Sequence, residues 1–248
     1  MANEIQVWNK VLTAALQLPG VKVNRDLFLS ESLQPYSTSA QISEAVEKGP
    51  IGVISKDVLD DIAKDCINYH TRIATSSSTV LGMPGGWAMV GTVPGDIIQY
   101  YYHVFVLAQK LAYIYGYPDL CDESGKFTES AANLLTVFVG VMGGVSVANK
   151  VLQELAEQLQ KEVIRRLPRY ALTKTAIYPF VKQVAKWIGV KLTKQTFARG
   201  VSKVVPIIGG IVSGVLTYAT FKPQSKKLMK KLRNTMYLAY ENKKAQAT

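Results

Sequence analysis

Apolar positions recur at helical spacing along almost the whole chain, and no strand-like alternation of any length interrupts them. Trp8, Val11, Leu12, Ala15 and Leu16 form a first stripe, which Pro19 and Gly20 end. Residues 21–54 lack a sustained period and contain Pro35, Pro50 and many small polar side chains. They read as loops with one short helix near residues 42–46. Ser55 is placed to cap a helix carrying Val58, Leu59, Ile62, Cys66 and Ile67. A glycine-rich break at residues 82–86 precedes a long apolar helix over 87–115, which Pro94 kinks or restarts and Gly116 and Pro118 end.

The acidic loop 119–126 leads to Thr128, a cap for a helix extending to about residue 162. Pro168 marks a break. Two shorter amphipathic helices are expected over 173–188 and 193–203, and Pro206 opens a last helix interrupted near Pro223. The expected fold is all-α: a single helical domain of seven to nine helices with glycine-rich crossings. Residues 1–50 form an N-terminal helix and irregular segment, 51–242 the main domain, and 243–248 a disordered tail.

Three runs carry no charge: residues 73–95, 130–149 and 204–221. The last would extend about 27 Å as a helix, at the lower edge of a membrane span. All three are glycine-rich rather than leucine-rich. Gly91 with Gly95, Gly140 with Gly144, and Gly210 with Gly214 stand four residues apart, the spacing that lets helices approach closely. Their glycine and hydroxyl content favours a packed core or a peripheral state over a fixed span.

Charge changes this picture. The net charge is +11, yet residues 1–160 hold 10 Lys and Arg against 16 Asp and Glu, whereas 161–248 hold 19 against two. The basic character belongs to the C-terminal third, which points to an anionic partner. Leu228, Leu232, Met236 and Ala239 make one apolar stripe there, with Lys226, Lys227, Lys230, Lys231 and Arg233 around it. A basic amphipathic helix of this kind reads as a membrane-surface or partner-binding element, worth about 1 kcal/mol per cation near an anionic leaflet. No helix-turn-helix, zinc-finger or RNA-recognition signature accompanies the charge, so nucleic acid is not the expected partner.

Two cysteines, Cys66 and Cys121, make no disulfide framework, and the N-terminal stretch lacks an apolar core of signal-peptide length. A reducing, cytoplasmic setting is expected. Cys66 and His70 share a helix face, and Asp96, His103 and Lys110 form a stripe at intervals of seven. Convergence of Cys66, His70, Asp96 and His103 would make a zinc-like site and a metal-dependent hydrolase the alternative reading. The more economical expectation is a core thiol and mutually satisfied polar groups, with no cofactor. No phosphate loop, nucleophile elbow or HExxH spacing is present, so catalytic residues are not assigned. A third reading is a lipid- or apolar-ligand-binding module lined by the glycine-rich segments.

Longer blocks carry a family resemblance. They are MPGGWAM at 83–89, VPGDIIQ at 93–99, His103, AQKLAYIYGYPDL at 108–120, VGVMGGV at 139–145 and ANK at 148–150. ALTKT at 171–175, IGVKLTK at 188–194 and VSKVVPIIGGIVSGVLTY at 201–218 continue the series. Over about residues 50–235 the chain resembles the EcsC family, named for a product encoded beside an ABC transporter in Bacillus-like bacteria. Val215 stands where that pattern has a glycine. The resemblance implies a bacterial cytoplasmic or membrane-associated protein, with an ABC transporter as one possible protein partner. It implies no catalytic residues.

Overall fold

The structure is a computed structural model that describes residues 2–77, 89–90, 93–161, 167, 178–201 and 209–246. Among these residues there are nine helices: α1 (Ala2–Leu16), α2 (Arg25–Leu33), α3 (Ser39–Lys48), α4 (Lys56–Ser77), α5 (Gly95–Ile114), α6 (Glu129–Met142), α7 (Ser146–Lys161), α8 (Tyr178–Val201) and α9 (Gly209–Gln246). Two two-residue strands, β1 (Met89–Val90) and β2 (Val93–Pro94), pair antiparallel just before α5. The chain is all-α in class, as the periodicity predicts.

Helices α5 and α6 form the middle of the core. Phe105, Leu107, Leu111 and Tyr113 of α5 and Leu134, Leu135, Val137 and Phe138 of α6 are fully buried. α1 lies across α8 and α5, while α9 packs on α4 and α7 and also reaches α5 and α6. Trp8 anchors α1: its indole Nε1 donates to Thr136 Oγ1 on α6 at 3.0 Å. Trp8, Val11, Leu29 and Leu33 of the first fifty residues are buried in the common core.

Residues 21–54 are more ordered than their pattern indicates. α2 starts at Asn24, whose side chain accepts from the Leu27 N–H, and α3 starts with a Thr38–Gln41 capping box. Both helices are short with narrow apolar stripes, so periodicity alone misses α2. Tertiary bonds hold the segment. Gln109 Nε2 donates to the Val21 carbonyl at 2.8 Å, and Gln109 Oε1 accepts from the Val23 N–H at 3.2 Å. Buried Arg25 donates to the carbonyls of Tyr117 and Val46.

Several boundaries differ from expectation. The expected helix over 87–115 begins only at Gly95, because residues 89–94 include the β1–β2 pair and Pro94 starts the turn into α5. The expected helix from Thr128 to about residue 162 is two helices. Gly144 takes φ +79°, its N–H bonds the Val141 carbonyl, and the Val145 N–H bonds the Gly140 carbonyl. That pair of bonds is a Schellman ending, open to glycine at low cost. The second uncharged run therefore bends back on itself. Conversely, α8 is continuous where two helices were expected over 173–203.

α9 likewise runs through Pro223 without a break. The missing N–H of Pro223 leaves the carbonyl of Ala219 without its usual helical donor, and Ala219 is exposed. α9 continues to Gln246, so residues 243–246 are helical rather than part of a disordered tail.

The crossing glycines separate into roles. A Cβ on Gly140 would meet Ala148 of α7 at 2.9 Å as well as Val184 of α8, so this position does set a close approach. Gly144 makes the turn instead. Gly189, not among the expected positions, sits where α8 touches the Glu4 backbone of α1. Gly95 opens α5, Gly210 and Gly214 lie in the first turns of α9, and Gly91 lies outside the described residues.

Candidate functional site

Two groups of residues bear on function. The first is a polar cluster between α4 and α5. Cys66 and His70 lie one turn apart on α4, and His103 and Lys110 lie two turns apart on α5. α4 packs along α5, and the facing stripes bring the His70 and His103 ring centroids to 6.4 Å. Tyr69 and Tyr102 flank the pair edge-on, each about one ring contact from its neighbouring histidine, at 5.2 and 5.1 Å. Lys110 Nζ is 5.4 Å from the Phe28 ring of α2 and 5.8 Å from the Tyr69 ring, so its charge rests on aromatic faces.

Burial dominates the electrostatics here. It pushes His70 down to about 3, with Lys110 and then His103 adding to the effect. It pushes His103 down to about 4. The Cys66 thiol is pushed up to about 11 by burial, while Lys110 pulls it back and Asp65 raises it further. At neutral pH both imidazoles are neutral and the thiol is protonated, so Cys66 is not an activated nucleophile. Among the described residues, no three His, Cys, Asp or Glu side chains stand close enough to hold a metal ion. Asp96 occupies the first turn of α5, and its side chain lies outside the described residues. Of the four residues whose convergence would make a zinc-like site, the fold brings Cys66, His70 and His103 to one seam.

The second group is the outer face of α9. Leu228, Leu232, Met236 and Ala239 are buried, as the stripe requires, and Phe221, Ser225 and Met229 extend it. Lys226, Lys227 and Lys230 are exposed and Lys231 is half-buried. Arg233 differs from these lysines: its Nη1 donates to Asp60 Oδ2 of α4 at 2.6 Å, a contact 173 residues away in sequence. Sequence pattern reads its charge but not its distant partner. Lys243 and Lys244, further along the helix, are also exposed.

Aromatic side chains accompany lysines on both α8 and α9. Lys222 Nζ lies 5.8 Å from the Tyr218 ring, Lys182 lies 4.7 Å from Tyr178, and Lys191 lies 4.9 Å from Trp187. Tyr218 and Phe180 are substantially exposed. Lysine stems laid along aromatic rings are a common feature of surfaces that meet a water–lipid boundary. Trp187 also packs where a Cβ on Gly143 would stand, and Lys227 Nζ lies 3.9 Å from the corresponding point on Gly144. The α6–α7 turn thus sits under side chains of both α8 and α9, and Lys227 faces the negative end of the α6 dipole.

A half-open cleft of about 280 Å³ lies among α2, α3, α7 and α9. Arg25, Glu44, Glu47, Lys48 and Lys243 line it, so its wall carries both signs of charge. It is not formed by the glycine-rich runs. No described helix is long and apolar enough to cross a membrane. No family model, no curated protein and no solved structure matches this chain.

Proposed function

We propose that the chain is a noncatalytic protein that docks on the anionic surface of a membrane through α9, peripherally and from the cytoplasmic side. The observation that carries this reading is the row Lys226, Lys227 and Lys230. These lysines are exposed on one helix whose opposite face is in the core, and no described carboxylate pairs with them. Exposed Tyr218 and Leu238 on the same helix supply apolar contacts at either end of the row. Three cations near an anionic leaflet supply about 3 kcal/mol, or about 150-fold in affinity. That is enough for reversible attachment when aromatic burial adds to it.

The resemblance to the EcsC family supports the same setting, with an ABC transporter as the protein neighbour. Flotation with vesicles holding 30–40% phosphatidylserine (roughly the charge density of a strongly anionic leaflet) tests the lipid part. Binding should weaken steeply with salt and disappear in a Lys226→Glu, Lys227→Glu, Lys230→Glu triple variant. A chain that fails to float with anionic vesicles at low salt removes the proposal.

A further inference from the structure

Histidine is the side chain that ordinarily changes charge between pH 5 and 8. This chain has two histidines, and the fold places both in one buried contact. We propose that the His70–His103 contact is an acid-operated catch on the seam between α4 and α5, closed while both imidazoles are neutral and released when they take up protons.

The geometry makes protonation costly. His70 is 5% exposed, and neither of its ring nitrogens has a hydrogen-bond partner among the described residues. A proton added there creates a buried cation with no acceptor. His103 is equally buried, with its ring centroid 6.4 Å away, so a second proton would add repulsion between like charges.

The surrounding charges do not offset this. Lys110 of α5 is also positive and acts on His70. Asp65 of α4 acts on Cys66, one turn earlier. Asp60 of α4 is taken up by Arg233 of α9 and by Tyr115 just past α5, and Asp26 of α2 pairs with Arg25. Arg72 follows on α4 with contacts of its own and adds a positive charge. No described carboxylate is in place to receive a His70 imidazolium.

The sign follows from the two end states. In the closed seam His70 and His103 are held at about 3 and about 4, whereas in an open seam both return towards 6.5. The seam has its full strength above pH 6.5 and loses it as pH falls below that value. Each excluded proton lowers the closed-to-open ratio tenfold per pH unit, so pH 5 costs about thirtyfold for one histidine and about a thousandfold for both. The response is a property of the chain in solution and requires no lipid.

Hydrogen exchange of the full chain at pH 7.5 and pH 5.0, corrected for the intrinsic rate, measures it without vesicles. Amides of residues 62–74 and 97–110 should lose at least a hundredfold in protection, while those of α7 change far less. A His70→Gln, His103→Gln double variant should flatten the difference. Imidazole NMR on the wild-type chain decides the matter even if that variant fails to fold. Either imidazole titrating near 6.5 in the folded protein overturns the proposal. So does an unchanged seam at pH 5, or an acid loss spread evenly over α6 and α7.

Discussion

Arg233 of α9 and Asp60 of α4 form a charge pair joining these two helices, with Nη1 2.6 Å from Oδ2. Tyr115, in the turn just past α5, donates its hydroxyl to the other carboxylate oxygen at 2.8 Å, so one aspartate ties α4 and α9 to the end of α5. Burial, with Asp60 beside it, pushes the Tyr115 hydroxyl well above the ordinary tyrosine range. The hydroxyl is therefore a donor at every physiological pH. Arg233→Leu should cost about 1–3 kcal/mol, since it leaves a mostly buried carboxylate with one partner. Urea denaturation of Arg233→Leu, Asp60→Asn and the double variant should give a favourable coupling energy.

The same variant separates fold from function. If Arg233 serves the core and the lysines serve the surface, Arg233→Leu should change vesicle affinity less than twofold. A cation that touched the leaflet would cost about 1 kcal/mol, or about fivefold. Titration of vesicles into the stable fraction of each variant measures the difference.

Gly189→Ala should be severely destabilising. The new methyl group would run into the Glu4 carbonyl, which is backbone and cannot rotate away. Separating α1 from α8 should cost about 2–3 kcal/mol, in the range of overpacked cores. Gly144→Ala fails for another reason. Its Cβ has space, with Lys227 Nζ at 3.9 Å, but φ is +79°. That strain is worth about 1 kcal/mol. Paired denaturation curves should rank the two in that order.

Trp8→Phe removes the donor to Thr136 while keeping an aromatic ring among Tyr101 and Phe105. The loss should be about 1–2 kcal/mol. In a Thr136→Val background, where the acceptor is also gone, Trp8→Phe should lose most of its effect, which a double-mutant cycle measures directly.

Cys66 and Cys121 should resist thiol reagents. Burial pushes each thiol up to about 11, so roughly one in a thousand is ionised at pH 8. Alkylation by iodoacetamide should run about two hundred times slower than for a free cysteine, and denaturant should restore the ordinary rate. Rapid labelling of the folded chain at pH 8 would contradict the buried, unactivated setting of Cys66.

The sequence by itself determined the helical class, the buried stripe of α9 and several helix ends. These are local properties. A 3.6-residue apolar period marks the face that must leave water, Thr128 accepts from the Ala131 N–H three residues on, and Gly116 takes the positive φ that ends α5. Where two cues competed, local pattern was insufficient. Gly144 reads as a crossing residue but makes a Schellman turn, because the run it interrupts folds back at the α6–α7 junction. α2 has too few turns for its period to stand out, and Gln109 and Arg25 from the tertiary structure hold its neighbourhood in place.

Only the tertiary structure decided how the charges and histidines are used. Arg233 and Lys230 look alike in sequence, yet one meets a carboxylate 173 residues away and the other faces solvent. His70 and His103 lie on separate helices, and nothing in their spacing reports that the stripes face each other. Periodicity tells which side of a helix is covered. It carries no record of which distant residue covers it, and burial, pairing and proton affinity all depend on that second fact.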